Sequence, residues 1–247
     1  MTEPAPSAPF RLAYVPGVTP AKWVRIWGER MPDVRLELVA ATESAAPTLL
    51  RDGGADAALV RLPIDSGELS VIALYEETPV VVVPKDHVVT AADAVSTADL
   101  TDEIVLHPLD DMLEWAVRPG TAAGHRPDTI ADAVELVAAG VGVLVVPQSL
   151  ARLHHRKDLT YRTVTDAPVS PVALAWPAAR TTDLVEEFVG IVRGRSVNSS
   201  RGRGAPEPAP KRTASQKSAA KQAARVAAGK VPPQKPKPKQ KPKRGRR

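Results

Sequence analysis

The stretch VELVAAGVGVLVVPQSLAR, residues 134–152, does most to decide the fold. It reads as a helix that ends at Gly140, because glycine readily closes the last turn of a helix. Gly142 lets a strand begin directly after this turn, and the apolar run over 141–147 predicts that the strand is buried. Pro147 ends the strand before another helix. The stretch therefore predicts a tight helix–turn–strand unit in an α/β protein.

Helix and strand patterns alternate through the first sixty residues. In order, they are a strand over 10–15, a helix carrying Trp23, Trp27 and Met31 at intervals of four, a strand over 34–40, a short helix near 47–51 and a strand over 55–62. Thr19 and Pro20 suit the start of the first helix, since a hydroxyl caps free N–H groups and proline has none to satisfy. This β-α-β-α-β order predicts a parallel sheet covered by helices.

The patterns after residue 68 are less regular. They are an apolar run over 69–83, a short strand over 99–106, a helix from Asp128 to Ala139 that Asp128 caps, a strand near 172–176 and a final helix capped by Thr182. No apolar run reaches the roughly 18 residues that span a bilayer, and the first residues lack the apolar centre of a signal peptide. We therefore expect no membrane contact and a cytoplasmic location.

The net charge of +5 conceals two parts of opposite sign. Residues 195–247 hold 17 Lys and Arg and one acid, whereas the preceding part holds 16 basic and 27 acidic residues. The basic part contains no Leu, Ile, Phe or Trp, so it cannot bury an apolar core. We expect disorder over residues 1–9 and over a basic tail, residues 194–247, whose charge predicts a polyanionic partner.

Four motifs along the chain carry a resemblance to a known family. They are MPDV (31–34), the segment from LRDG to DAAL (50–59), LYEETPVVVVPKDHVV (74–89) and VELVAAGVGVLVVP (134–147). Each is similar to a motif at the corresponding place in the effector-binding, or substrate-binding, domain of LysR-type transcriptional regulators. Because all four stand in the family's order and spacing, the resemblance extends over residues 10–193.

That resemblance implies a type-II periplasmic-binding-protein-like fold of the α/β class, with two lobes, a hinge and an effector cleft between the lobes. The first lobe would comprise 10–83 and 162–193, and the second 84–161. The hinge segments would lie at the end of the run to Val83 and near 161–164.

This sequence departs from the family pattern in two places. Only nine residues precede the first strand, so we do not expect the family's N-terminal winged helix-turn-helix here. The second lobe is also short between Leu106 and Asp128, where the family has a longer stretch. In the family this stretch forms part of the cleft wall, so the wall and its ligand contacts would differ in this chain.

The resemblance also implies where effector contacts lie, on loops after strands and at helix N-termini, where free N–H groups favour an anion. Mapped onto this chain, the ligand-binding residues would be Thr19, Thr42, Arg61, His107 and Thr129. The threonine hydroxyls would donate hydrogen bonds, and Arg61 and His107 would supply positive charge to a carboxylate or similar anion. Plainer interpretations stay open: Thr19 as a helix cap, and Arg61 as a solvated loop residue.

Several classes of protein are not expected. The chain has no cysteine, which removes disulfides, thiolate catalysis and the cofactor attachment that hydroxymethylbilane synthase, of the same fold class, requires. We find no P-loop, G-x-S-x-G, H-E-x-x-H or G-x-G-x-x-G motif, so we expect no enzyme. His154 and His155 are adjacent and point to different faces of a helix, so we expect no metal and no cofactor. A transport-linked binding protein would need a leader or a lipobox cysteine.

We therefore expect a non-enzymatic, transcription-related regulator that binds a small-molecule effector in the cleft and contacts DNA nonspecifically through its basic tail. Relatives pair through the first helix, and the apolar face of Trp23 and Trp27 suggests a homodimer here too. The alternative is a nucleoid- or chromatin-associated protein whose body only dimerises or docks a partner, since the tail resembles those of linker histones. The expected DNA contacts are the basic residues Lys211, Arg212, Lys217, Lys221, Arg225, Lys235, Lys237, Lys239, Lys241, Lys243, Arg244, Arg246 and Arg247.

Overall fold

The computed structural model describes residues 8–195. The helices are α1 (Ala21–Arg30), α2 (Ala46–Arg51), α3 (Ile130–Ala138), α4 (Gln148–Leu153) and α5 (Asp183–Val192). The strands are β1 (Phe10–Tyr14), β2 (Leu36–Ala40), β3 (Ala57–Arg61), β4 (Leu69–Glu77), β5 (Pro79–Pro84), β6 (Ala94–Val95), β7 (Ile104–Leu106), β8 (Thr121–Ala122), β9 (Val143–Pro147), β10 (Leu159–Val164) and β11 (Ser170–Pro177). Within this part of the chain, no helix is long and apolar enough to cross a membrane. The candidate DNA contacts of the basic tail lie outside the described residues.

The first sheet has five strands in the order β2-β1-β3-β11-β4. β1 pairs parallel to both β2 and β3, with Phe10 opposite Leu36 and Leu12 opposite Ala57. β11 then pairs antiparallel to β3 and β4. The predicted β-α-β-α-β order is confirmed, and the first lobe consists of this sheet with α1, α2 and α5.

The second sheet has six strands in the order β6-β10-β5-β9-β7-β8. β9 is parallel to β7 and antiparallel to β5, so the sheet is mixed. All five residues of β9 are buried, as the apolar run over 141–147 predicts. The second lobe consists of this sheet with α3 and α4, and the α/β fold expected from the sequence is confirmed.

The chain crosses between the lobes at Thr78 and again over 165–169. The first crossing lies earlier than the expected end of the run at Val83, because β5 belongs to the second sheet. Glu76 and Glu77 interrupt the apolar run, and Pro79 can open a new strand because its missing N–H is tolerated there. The second crossing follows 161–164 instead of including it.

An aromatic cluster fills the core of the first lobe. The ring of Trp27 stacks on Phe10 at 4.6 Å between centroids, and Phe188 of α5 lies 5.4 Å from Phe10. Trp27 is fully buried, and its indole nitrogen donates to the carbonyl of Val34 at 2.8 Å. Trp23 is half-buried on the flank of α1, so the predicted apolar face is divided between core and surface.

Gly140 of the deciding stretch acts as the sequence predicts, and Gly142 has a packing role that the sequence did not predict. Gly140 has φ +75° and ends the turn after α3. Gly142 lies so close to a neighbouring strand that a Cβ atom there would come within 2.3 Å of the Ile104 carbonyl oxygen. The close approach of β7 and β9 therefore depends on the absence of a side chain at this position.

Three local predictions need correction. α1 has Pro20 at its N-cap with no side-chain cap, so Thr19 does not cap it. Thr129, and not Asp128, caps α3, because its hydroxyl accepts from the backbone N–H of Asp132 at 3.1 Å.

The expected strand over 99–106 begins only at Ile104. Asp99 accepts from both the N–H and the hydroxyl of Ser96, which favours a turn there instead. The Thr182 cap of α5 is confirmed.

Candidate functional site: a cavity between two lobes

A cavity of about 680 Å³ opens between the two lobes. The first lobe contributes the ends of β1 and β2 and the loops that follow them, and the second lobe contributes α4. The lining residues are Tyr14, Pro16, Gly17, Val18, Thr19, Ala40, Ala41, Thr42, Ser149, Arg152 and Leu153. Because β1 and β2 are parallel, their carboxyl ends meet at one edge of the sheet, which places both loops on the same wall.

The walls are mostly apolar and carry a few polar groups. Residues with hydroxyl groups are Tyr14, Thr19 and Thr42 on one side and Ser149 on the other. Arg152 is the basic residue of the lining, and its Nε atom donates to the Tyr161 hydroxyl at 3.3 Å. An apolar cavity with a few convergent hydroxyls and one cation suits a small, largely apolar molecule with a polar or anionic group.

Thr19 and Thr42 lie where the sequence places them, on the cavity wall. Thr42 also stabilises its own loop, since its hydroxyl accepts from the backbone N–H of Ala45 at 3.2 Å. Thr19 is exposed. A ligand contact at either residue stays a prediction, but the two hydroxyls do share one cavity.

Arg61 lies behind the cavity wall instead of in the cavity. It is the last residue of β3, whose five residues are all buried, and its side chain has no exposed surface. Its Nε atom donates to Glu77 at 2.8 Å, and its Nη1 atom donates to Glu43 at 2.5 Å and to the Pro16 carbonyl at 2.7 Å. Its Nη2 atom donates to the Ser149 hydroxyl at 2.9 Å. The sequence analysis considered Arg61 either as a solvated loop residue or as an effector contact. In the structure its guanidinium is buried and hydrogen-bonded to protein groups instead.

The charges around Arg61 do not cancel when both carboxylates are ionised. Glu77 is 8% exposed and Glu43 keeps 20% of its side-chain surface exposed. Burial raises the pKa of the Glu43 carboxyl, although the attraction of Arg61 opposes this shift, and the negative charge of Glu77 adds to it. One guanidinium therefore forms ion pairs with two carboxylates. Burial disfavours the ionised form of Glu43.

The two second-lobe candidates are not brought to the cavity lining. His107 is buried, with its Nδ1 atom 3.7 Å from Asp111 and its ring edge-on to Trp115. The hydroxyl of Thr129 both caps α3 and donates to the Asp132 carboxylate at 2.7 Å. Thr129 is therefore engaged within its own lobe, whereas the buried Nε2 atom of His107 has no hydrogen-bond partner among the described residues, and a ligand contact for either residue stays a prediction.

The sequence analysis missed the contribution of α4. The cavity is lined by Ser149, Arg152 and Leu153, which belong to the helix that directly follows β9. The sequence did contain a signal, because Pro147 indicates the end of a strand and the start of a helix. In α/β proteins, ligands bind at the edge of the sheet where strands end and helices begin. Glu43 was missed as well, since nothing in ATES (41–44) indicates that this glutamate is half-buried and paired with Arg61. Among residues 8–195, no group of three or more His, Asp or Glu could hold a metal ion.

Comparison with known sequences identifies the domain. The family model described as the LysR substrate binding domain matches residues 6–196. The chain belongs to this family. The match covers both lobes and the cavity between them, and it agrees with the resemblance seen in the four motifs.

Curated relatives of this LysR substrate-binding domain are transcriptional regulators. The chain is 25% identical over 183 residues to the HTH-type transcriptional regulator AlsR of Bacillus subtilis, a match covering 68% of this chain and 59% of AlsR. It is 30% identical over 154 residues to a probable hydrogen peroxide-inducible genes activator of Mycobacterium leprae, covering 58% of this chain and 50% of the relative. The chain thus spans between half and three-fifths of the length of these two relatives.

Solved structures share the fold. The BenM effector binding domain with its effector benzoate superposes with a TM-score of 0.65 at 20% identity, covering 85% of this chain and all of that one. The reduced form of the OxyR regulatory domain from Pseudomonas aeruginosa gives a TM-score of 0.57 at 21% identity, covering 78% of this chain and 98% of that one. These likenesses establish the two-lobed fold of effector-binding domains.

Proposed function

We propose that the chain is a ligand-responsive transcriptional regulator, not an enzyme, and that its effector is a small carboxylate bound between the lobes. The observation that carries the proposal is the 680 Å³ cavity, with hydroxyls of both lobes on apolar walls and Arg152 in the lining. A related fold holds benzoate as its effector, which indicates the size and chemistry of the first compounds to test. A transcriptional role would place the protein with the DNA, in the cytoplasm.

Thermal unfolding of the full chain tests this proposal. Benzoate and a panel of other small carboxylates are added separately, and the correct class of ligand raises the melting temperature saturably. At a hundred times its Kd, a ligand that binds only the folded state stabilises it by about 2.7 kcal/mol. Thr19→Val removes one cavity hydroxyl while keeping the shape of the side chain, and it should reduce the shift. Thr101→Val is the matched control, since Thr101 is an exposed second-lobe residue whose hydroxyl donates to Ala98.

The alternative function makes the opposite prediction. If the body only dimerises or docks a partner, as in a nucleoid- or chromatin-associated protein, no member of the carboxylate panel shifts the melting temperature. A shift of equal size in the chain and in the Thr19→Val variant would place the ligand elsewhere. A response lost only in Thr19→Val supports the cavity.

We also propose that the basic tail contacts DNA nonspecifically. The support is the sequence itself: 17 Lys and Arg against a single acid over residues 195–247. The preceding part has an excess of 11 negative charges and would repel the same polyanion. The tail thus supplies the affinity for DNA that the acidic body lacks.

A further inference from the structure

The guanidinium of Arg61 lies behind the cavity wall, between α4 of the second lobe and the crossing between the lobes. At one end, Nη2 binds the hydroxyl of Ser149, which belongs to α4 of the second lobe. At the other end, Nε binds Glu77, the residue immediately before the crossing at Thr78. A single first-lobe side chain therefore contacts both the opposite lobe and the segment about which the lobes are joined.

The N-terminus of α4 is attached at the same place by its backbone. The N–H of Gln148 donates to the carbonyl of Thr78 at 2.9 Å. Ser149 is the next residue along, so the contact with Arg61 adds a second attachment one residue beyond the first. Two adjacent hydrogen bonds, one at the crossing and one across the cleft, thus attach the start of α4, while its Leu150 and Ala151 pack in the core of the second lobe.

Gly17 allows the two lobes to approach this closely. It lines the cavity, and a Cβ atom there would lie 2.7 Å from the Ser149 hydroxyl and 3.0 Å from Arg61 Nη2. Any side chain at this position would push against the cross-lobe hydrogen bond. The first-lobe loop is therefore shaped to leave Arg61 and Ser149 in contact.

The hydrogen-bond partners of Arg61 belong to different lobes, and only Ser149 belongs to the second. Glu77, Glu43 and the Pro16 carbonyl all belong to the first lobe or its boundary, and they remain with Arg61 whatever the second lobe does. Opening the cleft would break only the bond to Ser149. Because Glu77 and Glu43 stay beside the guanidinium, opening leaves the buried positive charge of Arg61 paired. For Arg61, opening the cleft therefore costs one charge-assisted hydrogen bond.

We propose that Arg61 and Ser149 form an interlobe latch, in which Arg61 acts as a positioning residue and not as a ligand contact. The latch holds α4 against the first lobe in the closed arrangement and releases when Ser149 moves away. Glu77 and Glu43 hold the Arg61 side chain in place, so that it can bind Ser149 again when the lobes close. Because Ser149 also lines the cavity, a ligand that reaches its hydroxyl acts directly on the latch.

The separation of the lobes can be measured without any ligand. The chain has no cysteine, so Lys157→Cys in the second lobe and Glu186→Cys in the first provide two exposed sites for spin labels. Labelled full-length protein is diluted with unlabelled protein so that only distances within one chain are recorded. Pulsed electron spin resonance then gives the distribution of distances between the lobes. We expect one narrow distance in the otherwise unchanged chain.

Ser149→Ala tests the latch, since it removes only the hydroxyl and alanine suits a helix. Loss of a hydrogen bond to a charged group should raise the ratio of open to closed molecules by roughly tenfold or more, so a second, longer distance appears. Thr101→Ala, which removes a hydroxyl within the second lobe, should leave the distribution narrow. Circular dichroism checks that both variants fold.

An unchanged distribution in Ser149→Ala would overturn the latch, as would an equal broadening in Thr101→Ala. Neither result depends on the identity of the effector. A failure of carboxylates to shift the melting temperature would count against the proposed effector function and would leave the latch unaffected. The two proposals therefore fail separately.

Discussion

A Cβ atom added to Gly142 would lie 2.3 Å from the carbonyl oxygen of Ile104, closer than packed atoms can approach. This contact joins the start of β9 to the start of β7 and sets the spacing of the two parallel strands. The neighbouring atom is backbone, which cannot rotate away as a flexible side chain would. The close packing of β7 beside β9 therefore depends on the absence of a side chain at Gly142.

Gly142→Ala should destabilise the protein by about 1–3 kcal/mol, the usual cost of forcing an extra carbon into a packed site. Gly28→Ala is the matched control, because nothing lies within 4 Å of a Cβ at this exposed position in α1. Alanine is favoured over glycine in a helix by roughly 0.5–1 kcal/mol, so this variant should be more stable than the parent. Urea unfolding of both variants measures the two effects. Equal effects of the same sign would refute the close contact.

The stability of the protein should depend on pH through Glu43, which faces Arg61 and Glu77. Burial raises the pKa of Glu43 in the folded state, so its contribution is fully present below the unfolded pKa of about 4.3. That contribution is lost as the pH rises through the folded pKa. Glu43→Gln cannot ionise, and its unfolding free energy should therefore increase relative to the parent chain as the pH rises from 4 toward 7.

Denaturant unfolding at a series of pH values measures this difference. Asp166→Asn provides a control of opposite sign, because hydrogen bonds from Thr97 lower the pKa of Asp166. The contribution of Asp166 is present above its unfolded pKa of about 3.9 and is lost as the pH falls through the folded pKa. A constant difference between Glu43→Gln and the parent would show that burial does not control Glu43.

These two examples separate what the sequence predicts from what it does not. The start of a strand at Gly142 was predictable because it is local: a helix end, a turn and a buried strand follow one another within a few residues. The contact of Gly142 with Ile104 of β7 was not predictable in this way. The partners of Arg61 were not, since Ser149 is 88 positions away and Glu77 is 16. Burial of Glu43 likewise follows from how loops of separate strands meet. Pattern identifies elements, whereas the neighbours of a polar side chain depend on the packing of distant segments.

The expected homodimer can be tested at α1 and its neighbouring edge strand. Trp23 is half-buried on α1, and Leu38 of the edge strand β2 is 46% exposed. An apolar surface beside an unpaired strand edge favours association. We expect sedimentation velocity at micromolar concentration to show a dimer, and Leu38→Asp to shift it toward monomer. Val169→Asp is the control, because Val169 is equally exposed but lies at the second crossing. A monomeric parent chain would contradict the proposal.

The basic tail should bind duplex DNA through its phosphates. It contains no Phe, Tyr or Trp on which unpaired bases could stack, so its affinity should rest on charge and show little sequence preference. If about six to ten phosphates are neutralised, affinity should fall on the order of a thousandfold or more between 50 and 200 mM salt. Fluorescence anisotropy with two unrelated duplexes across this range measures both the slope and the preference.

Deletion of residues 195–247 is the decisive variant for this interaction. The acidic part that remains repels DNA, so nonspecific binding should disappear, and fusing the tail to a neutral carrier protein should transfer it with the same salt slope. The family match ends at residue 196, so the deletion spares almost the whole matched domain. If the shortened chain binds both duplexes as tightly as the full chain, the tail is not the nucleic-acid element. An acidic protein partner would then explain its 17 basic residues better than DNA does.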